Sequence, residues 1–272
     1  MSVNSHSHSH SGLARDLGLV AWQIRYEQRS YWRNRGRGLF TFAFPLIFLV
    51  IFASLDSSSH LGSLGGISYD DFLVPGILAY SVITTTFVNL AISTAILRDN
   101  GVLKRMQGTP LPRWAYVAAR IGSCALVMTA IALIVVVAGV VFWGLSLRLE
   151  AVPAIALALL LGTAAFTTLG IGILRFVKNA DTAPVIVNLV VLPLTFISNI
   201  WFPTNTLPKT LRSVASAFPI KALASSLQYA FDPLHHGAAF DWSSLRTLVI
   251  WTAVGTVLMI RFLRRPLGDD VP

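Results

Sequence analysis

Six runs of apolar residues, about 38–55, 72–97, 118–145, 153–174, 182–202 and 245–263, divide this 272-residue chain, and no Asp or Glu falls inside any of them. A helix needs roughly 20 residues, at about 1.5 Å each, to cross a hydrocarbon core about 30 Å thick. Every run is near or above that length. Lipid offers no partner to backbone N–H and C=O groups, so each run is predicted to be a helix whose bonds close within itself, not a strand.

Two further stretches are amphipathic. Ahead of the first run, Leu13, Leu17, Val20, Ile24 and Tyr31 share one helical face, and Arg15, Arg25, Arg29 and Arg33 share the opposite one. This pattern predicts an interfacial helix over 13–37, bound through Leu17, Val20 and Ile24, with Trp22, Tyr26 and Trp32 at the headgroups. Between the fifth and sixth runs, Leu207, Leu211, Val214 and Phe218 share a face, Pro219 breaks the pattern, and Leu223, Leu227 and Phe231 share another. Both pieces are too short to span, and they predict two outer half-helices within 203–232. The expected fold is therefore an all-α polytopic membrane protein. Its plan is a polar disordered tail (1–12), the interfacial helix (13–37), a six-span permease domain (38–263) and a cytoplasmic tail (264–272).

Composition agrees. The chain is 54% hydrophobic with a mean hydropathy of +0.67, and its 12% of charged residues is about half the usual soluble share. A net charge of +9 raises nucleic acid as a partner, but Lys and Arg sit between apolar runs and form no interleaved basic and aromatic face, so no nucleic acid is expected. Their distribution instead orients the chain. Sixteen of the 21 lie before the first run, between the second and third, between the fourth and fifth, or after the sixth, when Arg120 at the start of the third run and Arg261 at the end of the sixth are assigned to the adjoining connection and tail, and the outer stretch DSSSHLGSLGGISYDD has none. The predicted topology is a multi-pass protein of the cell membrane with both termini cytoplasmic. The start, MSVNSHSHSHSG, has no basic segment leading into an apolar core, so it does not read as a signal peptide. Cys124, alone in an apolar run, reads as a small packing residue.

The connection LRDNGVLKRMQGTPLPRWAYVAAR interrupts the apolar pattern with charge, glycine and proline. Arg98, Asp99 and Asn100 end the second run in water, and Gly101 breaks the helix at low cost. Val102 to Gln107 predict a short helix with Leu103 and Met106 as apolar knobs on one side and Lys104 and Arg105 exposed. Thr109-Pro110-Leu111-Pro112 stops it. On physical grounds alone such a stub either reconnects two spans or presents its knobs to a cytoplasmic partner.

The order R-D-N-G-V-L-K-R-M-Q-G-T-P resembles the signature loop of the type-2 ABC exporter permease family, in particular its daunorubicin-resistance-like actinobacterial branch. That loop reads as an acidic/basic pair, then G-x-L-x-R-L-x-x-[ST]-P, and Gly101, Leu103, Arg105, Met106, Thr109 and Pro110 occupy those places. Asp99 and Asn100 stand where relatives often carry glutamate. The late F-P…L-P segment, here Phe202-Pro203 and Leu207-Pro208, and the six-span order are similar to the family plan as well.

The resemblance implies that the 98–117 loop is a coupling element for a separate ABC ATPase, through Arg98, Asp99, Gly101, Leu103, Lys104, Arg105, Met106, Thr109 and Pro110. No G-x-x-x-x-G-K-[ST] phosphate loop occurs in this sequence, so ATP and Mg would be held by two ATPase copies. A second permease copy or a paralogue is implied too. The expected function is export of a hydrophobic or amphipathic small molecule; the alternative is a lipid-linked glycan or cell-envelope polysaccharide. An intramembrane enzyme or an ion-coupled transporter would need ionisable groups at mid-depth, and the runs hold no carboxylate or histidine there. Candidate pathway residues are the polar ones inside runs: Thr85 and Asn89 in the second, and Asn188, Ser198 and Asn199 in the fifth. The other role open to them is hydrogen bonding that packs one helix on another. No metal-ligand cluster is expected.

Overall fold

A computed structural model describes residues 9–33, 35–55, 69–107, 113–145, 147–204, 208–233 and 239–263. Every regular element among them is helical. In chain order these are α1 (Ser9–Arg33), α2 (Arg35–Leu55), α3 (Tyr69–Val82), a π-helical segment (Ile83–Val88), α4 (Asn89–Asp99), α5 (Val102–Gln107), α6 (Arg113–Trp143), a 3-10 turn (Leu149–Ala151), α7 (Val152–Gly172), a second 3-10 turn (Ile173–Arg175), α8 (Ala183–Ile197), α9 (Lys209–Ala217), α10 (Pro219–Phe231) and α11 (Trp242–Leu263).

Among the described residues four helical stretches are long and apolar enough to cross a membrane: Asp71–Asp99, Trp114–Phe142, Leu149–Arg175 and Trp242–Leu263. Thr41–Ile51 and Ala183–Ile197 are apolar but shorter. Leu126, Leu133, Val137 and Val141 of α6 and Val249, Ile250 and Val257 of α11 stay exposed, as apolar faces do when lipid is the solvent.

α7 forms the centre, and its small residues let neighbours approach closely. A Cβ on Gly172 would stand 2.8 Å from the Cβ of Leu258 in α11, and one on Gly170 would meet the carbonyls of Thr86 and Phe87 at 3.0 Å. Close backbone contact of this kind raises dispersion where no hydrophobic effect separates helix from lipid.

The carbonyls facing Gly170 belong to the π segment, which the sequence reading does not anticipate. The hydroxyls of Ser81, Thr84 and Thr86 donate to the carbonyls of Ile77, Tyr80 and Val82 at 2.7, 2.9 and 2.5 Å. Three side chains thus compete for acceptors of the backbone ladder within six residues, and the helix widens there.

The fifth apolar run, expected over 182–202, is helical only to Ile197. Fifteen residues rise about 22 Å, short of the hydrocarbon thickness. Asn199 then takes the left-handed conformation at φ 65°, and the chain turns inward. Ile200 is fully buried, with its backbone carbonyl against Gly76 of α3. Trp201 packs on Phe48 and Tyr80 with ring centroids 5.1 Å apart in both cases. The apolar pattern continues past Ile197 because the turn is buried in protein.

The half-helices appear as α9 and α10, divided at Pro219 as the pattern predicts. α9 is mostly exposed, whereas α10 is buried along Ile220, Leu223 and Leu227.

Candidate coupling site and polar pathway residues

α4 ends in a tight reversal. The N–H groups of Asn100 and Gly101 donate to the carbonyls of Ile96 and Arg98, and Gly101 adopts φ 68°, which L side chains rarely take. α5 follows at once. Lys104 and Arg105 face outward, as the sequence predicts. Leu103 does not. It is 5% exposed and packs with Leu90, Tyr116, Leu174, Val177 and Phe262. The expectation of an outward Leu103 knob is corrected accordingly: Leu103 is taken up by the permease's own second core. The side chain of Met106, together with Thr109 and Pro110, lies outside the described residues.

Arg98 and Asp99 also turn toward the permease. The Arg98 guanidinium donates through Nη1 to the carbonyls of Leu174 (3.3 Å) and Val177 (2.7 Å) and through Nη2 to that of Lys178 (2.8 Å). Its Nε stands 3.2 Å from Asp99 Oδ1, and the other Asp99 oxygen accepts from the Ala180 N–H at 2.6 Å. These carbonyls lie at and just beyond the C-terminal end of the helical stretch Leu149–Arg175, where a cation is favoured, and that of Leu174 also accepts from the Val177 N–H at 3.3 Å. The two side chains pin the 173–180 connection to α4.

A second polar junction joins α1 to α6. Glu27 and Arg120 form an ion pair at 3.2 Å with side chains 10% and 15% exposed. Gln28 donates to the backbone carbonyl and hydroxyl of Ser123 at 2.8 and 3.0 Å. Arg120 also donates to the Tyr116 hydroxyl at 3.1 Å and sits over its ring. Burial pushes the Glu27 carboxyl above its ordinary range, against the lowering influence of Arg120. The sequence pattern places Arg120 with the connection before the third run and carries no signal for Glu27. The available signal was the place of Arg120 within an apolar run, where a charge requires a partner.

α1 begins at Ser9, within the stretch read from sequence as a tail. Its interfacial face differs from expectation. Ile24 packs on Gly122 of α6 and Tyr31 on the main core, while Trp22, Tyr26, Arg25 and Arg29 face outward. Val20 is half-buried, and the Leu17 side chain lies outside the described residues. Of the side predicted to meet lipid, Ile24 meets α6, where Gly122 lets the two helices close up.

The pathway candidates separate into two groups. Thr85 and Asn89 line a polar cavity of about 320 Å³ with Glu27, Tyr31, Tyr116 and Arg120. Asn188 donates to the Pro184 carbonyl of its own helix at 2.9 Å. Ser198 is fully buried. Asn199 bonds to Gln228 of α10, and its Oδ1 accepts from the Thr204 N–H at 2.8 Å. It therefore holds the turn that ends α8. Among the described residues no group of His, Cys, Asp and Glu could hold a metal ion.

Long apolar helices with glycine contacts, a charged loop returned to the bundle and two short helices before the last one define a polytopic helical membrane protein. Residues 19–231 match the ABC-2 type transporter family, and the chain belongs to that family. The inner membrane transport permease YadH of Escherichia coli strain K12 is 26% identical over 192 residues, covering 68% of this chain and 71% of the relative. The permease of the same name from Shigella flexneri matches to the same extent. The protein is thus a membrane permease subunit of an ABC transporter, a kind of component that is generally non-catalytic, and its family implies association with an ABC ATPase.

Proposed function

We propose that this permease exports a hydrophobic or amphipathic small molecule, a drug or natural product, as one half of a two-permease assembly driven by two ATPase subunits that hold ATP and Mg. The observation that carries the substrate class is a cavity of about 230 Å³ between α7, α8 and α11, capped by the α9–α10 junction. Its walls are apolar, with Phe87, Phe166, Phe176, Phe218 and Trp251 among them, and the Trp251 indole N–H is already donated to the Ala217 carbonyl at 2.8 Å. A glycan placed there would leave hydroxyls unpaired at about 1–3 kcal/mol each. An aromatic or acyl group would lose none.

In this reading α2, α3 to α4, α6, α7, α8 with its inward turn, and α11 make six crossings, with both termini and α5 cytoplasmic. α5 docks on the ATPase through Lys104 and Arg105, the coupling role extending to Met106, Thr109 and Pro110. Closure of the ATPase pair biases the bundle between two arrangements.

The test is reconstitution with the ATPase in vesicles. Amphiphilic aromatic compounds are expected to stimulate ATP hydrolysis and to accumulate on the far side, and lipid-linked oligosaccharide is not; the reverse result assigns the permease to glycan export. Single cysteines at Ser58 and Gln107, in a Cys124→Ser background, are expected to react with an impermeant maleimide from opposite sides. Labelling of both from outside overturns the topology.

A further inference from the structure

We infer that Arg98 and Asp99 are positioning residues that transmit motion of α5 to the start of α8, and are not contacts for the ATPase. This rests on the reading of α5 as the docking element. The guanidinium is committed on both terminal nitrogens, to three carbonyls at and just beyond the end of Leu149–Arg175, and Nε is committed to Asp99. Asp99 is committed on both oxygens, to Arg98 and to the Ala180 N–H. Four of the five guanidinium N–H groups are thus used within the permease, and each Asp99 oxygen already accepts one bond there. Only Gly101 separates the pair and Asn100 from α5, and Gly101 is anchored by its N–H to the Arg98 carbonyl.

Apolar packing reinforces the same link. Leu103 on α5 shares its cluster with Leu174 and Val177, which lie within the pinned connection, and with Ala183, which begins α8. A displacement of α5 therefore cannot occur without moving residues 174–180 or breaking several charge-assisted bonds. The pinned connection leads directly into α8 through Thr182, whose backbone N–H and hydroxyl are held by the Asn179 side chain at 3.1 and 2.6 Å. α8 flanks the apolar cavity. The push on α5 thus reaches the helix that borders the proposed substrate site.

Lysine at 98 keeps the charge but is a point donor that cannot span three carbonyls. In the reconstituted complex, Arg98→Lys is expected to retain the ATPase on co-purification and to hydrolyse ATP within about twofold of wild type, yet to lose about tenfold in transport per ATP, within the usual range of a coupling energy. Asp99→Ala, on a side chain one-third exposed, is the variant least prone to misfold, and a smaller loss of the same kind is expected. Spin labels at Asn100 and Lys178, in a Cys124→Ser background, are expected to keep one separation with and without MgATP, and to lose that constancy in Arg98→Lys. Unchanged transport per ATP in both variants, or a wild-type separation that changes with nucleotide, overturns the inference. Loss of ATPase and of thermal stability together in both variants also overturns it, since the pair would then be structural only. Lys104→Glu with Arg105→Glu tests the docking reading separately. If that variant keeps the ATPase bound and coupled, the docking reading fails whatever Arg98 does.

Discussion

At the contact of α1 with α6, Glu27 meets Arg120 side chain to side chain, and both are nearly out of solvent. At the contact of α4 with the connection before α8, Arg98 meets backbone carbonyls, and its partner Asp99 remains one-third exposed. The first junction has side chains on both sides, so an apolar pair of similar volume can replace it. Acceptors in the second belong to the main chain, so no compensating substitution exists there. A buried pair of the first kind serves to fix how α1 seats, whereas a clamp on backbone carbonyls joins two connections whatever their side chains. The two junctions therefore respond differently to the same class of mutation.

The largest expected effect follows from breaking the first junction on one side. Arg120→Ala strands a buried carboxylate and is expected to cost about 3–5 kcal/mol in the unfolding of detergent-solubilised permease, while Glu27→Leu with Arg120→Met recovers most of it. A double variant as unstable as the single one would show that the pair contributes more than mutual neutralisation. Next, Leu103→Ala is expected to cost about 2–3 kcal/mol without any ATPase present, because the residue is in the permease's own core. Lys104→Ala beside it is expected to change stability by less than about 0.5 kcal/mol. Equal, small effects would return Leu103 to the outward position read from sequence.

Smaller again is Gly101→Ala. No atom lies within 4 Å of the added Cβ, so the cost, about 1–2 kcal/mol, is conformational only and tests the sharp turn that brings Leu103 inward. The smallest effect is in pH dependence. Burial raises the Glu27 carboxyl, so its favourable contribution is complete below the ordinary carboxylate range and fades as pH rises through the raised value. Arg120→Gln removes the opposing influence, and the fade is expected to move to higher pH and to deepen. Parallel melting curves against pH for the two proteins would separate Glu27 from this behaviour.

Much of this was legible in the chain. The apolar runs, the break at Pro219, the exposed Lys104 and Arg105 and the short helix after Gly101 follow from periodicity and from the two residues with unusual backbones. Three things were not. Leu103 looked like a knob because periodicity says which residues share a face, not what that face meets. The 182–202 run looked like one span because Ile200 and Trp201 are as apolar as any lipid-facing residue, yet they are buried against Gly76, Phe48 and Tyr80. Asn89 and Asn199 looked alike as polar residues in apolar runs, but one lines a cavity and the other bonds a turn to Gln228.

The sequence by itself determined that the chain is helical and belongs in a membrane, because apolar length and the absence of intramembrane carboxylates admit no other solvent. It determined as well where the chain must break, since Gly101 and Pro219 act through their own backbones. Only the tertiary structure decided what Arg98, Glu27, Arg120 and Leu103 touch. The tertiary partners of the charged groups are 76 to 93 residues distant in the chain, and backbone carbonyls carry no residue identity that a sequence pattern can reveal. Helix faces acquire meaning only when glycines such as Gly122, Gly170 and Gly172 set how closely the helices approach, and that distance is a property of the packed bundle.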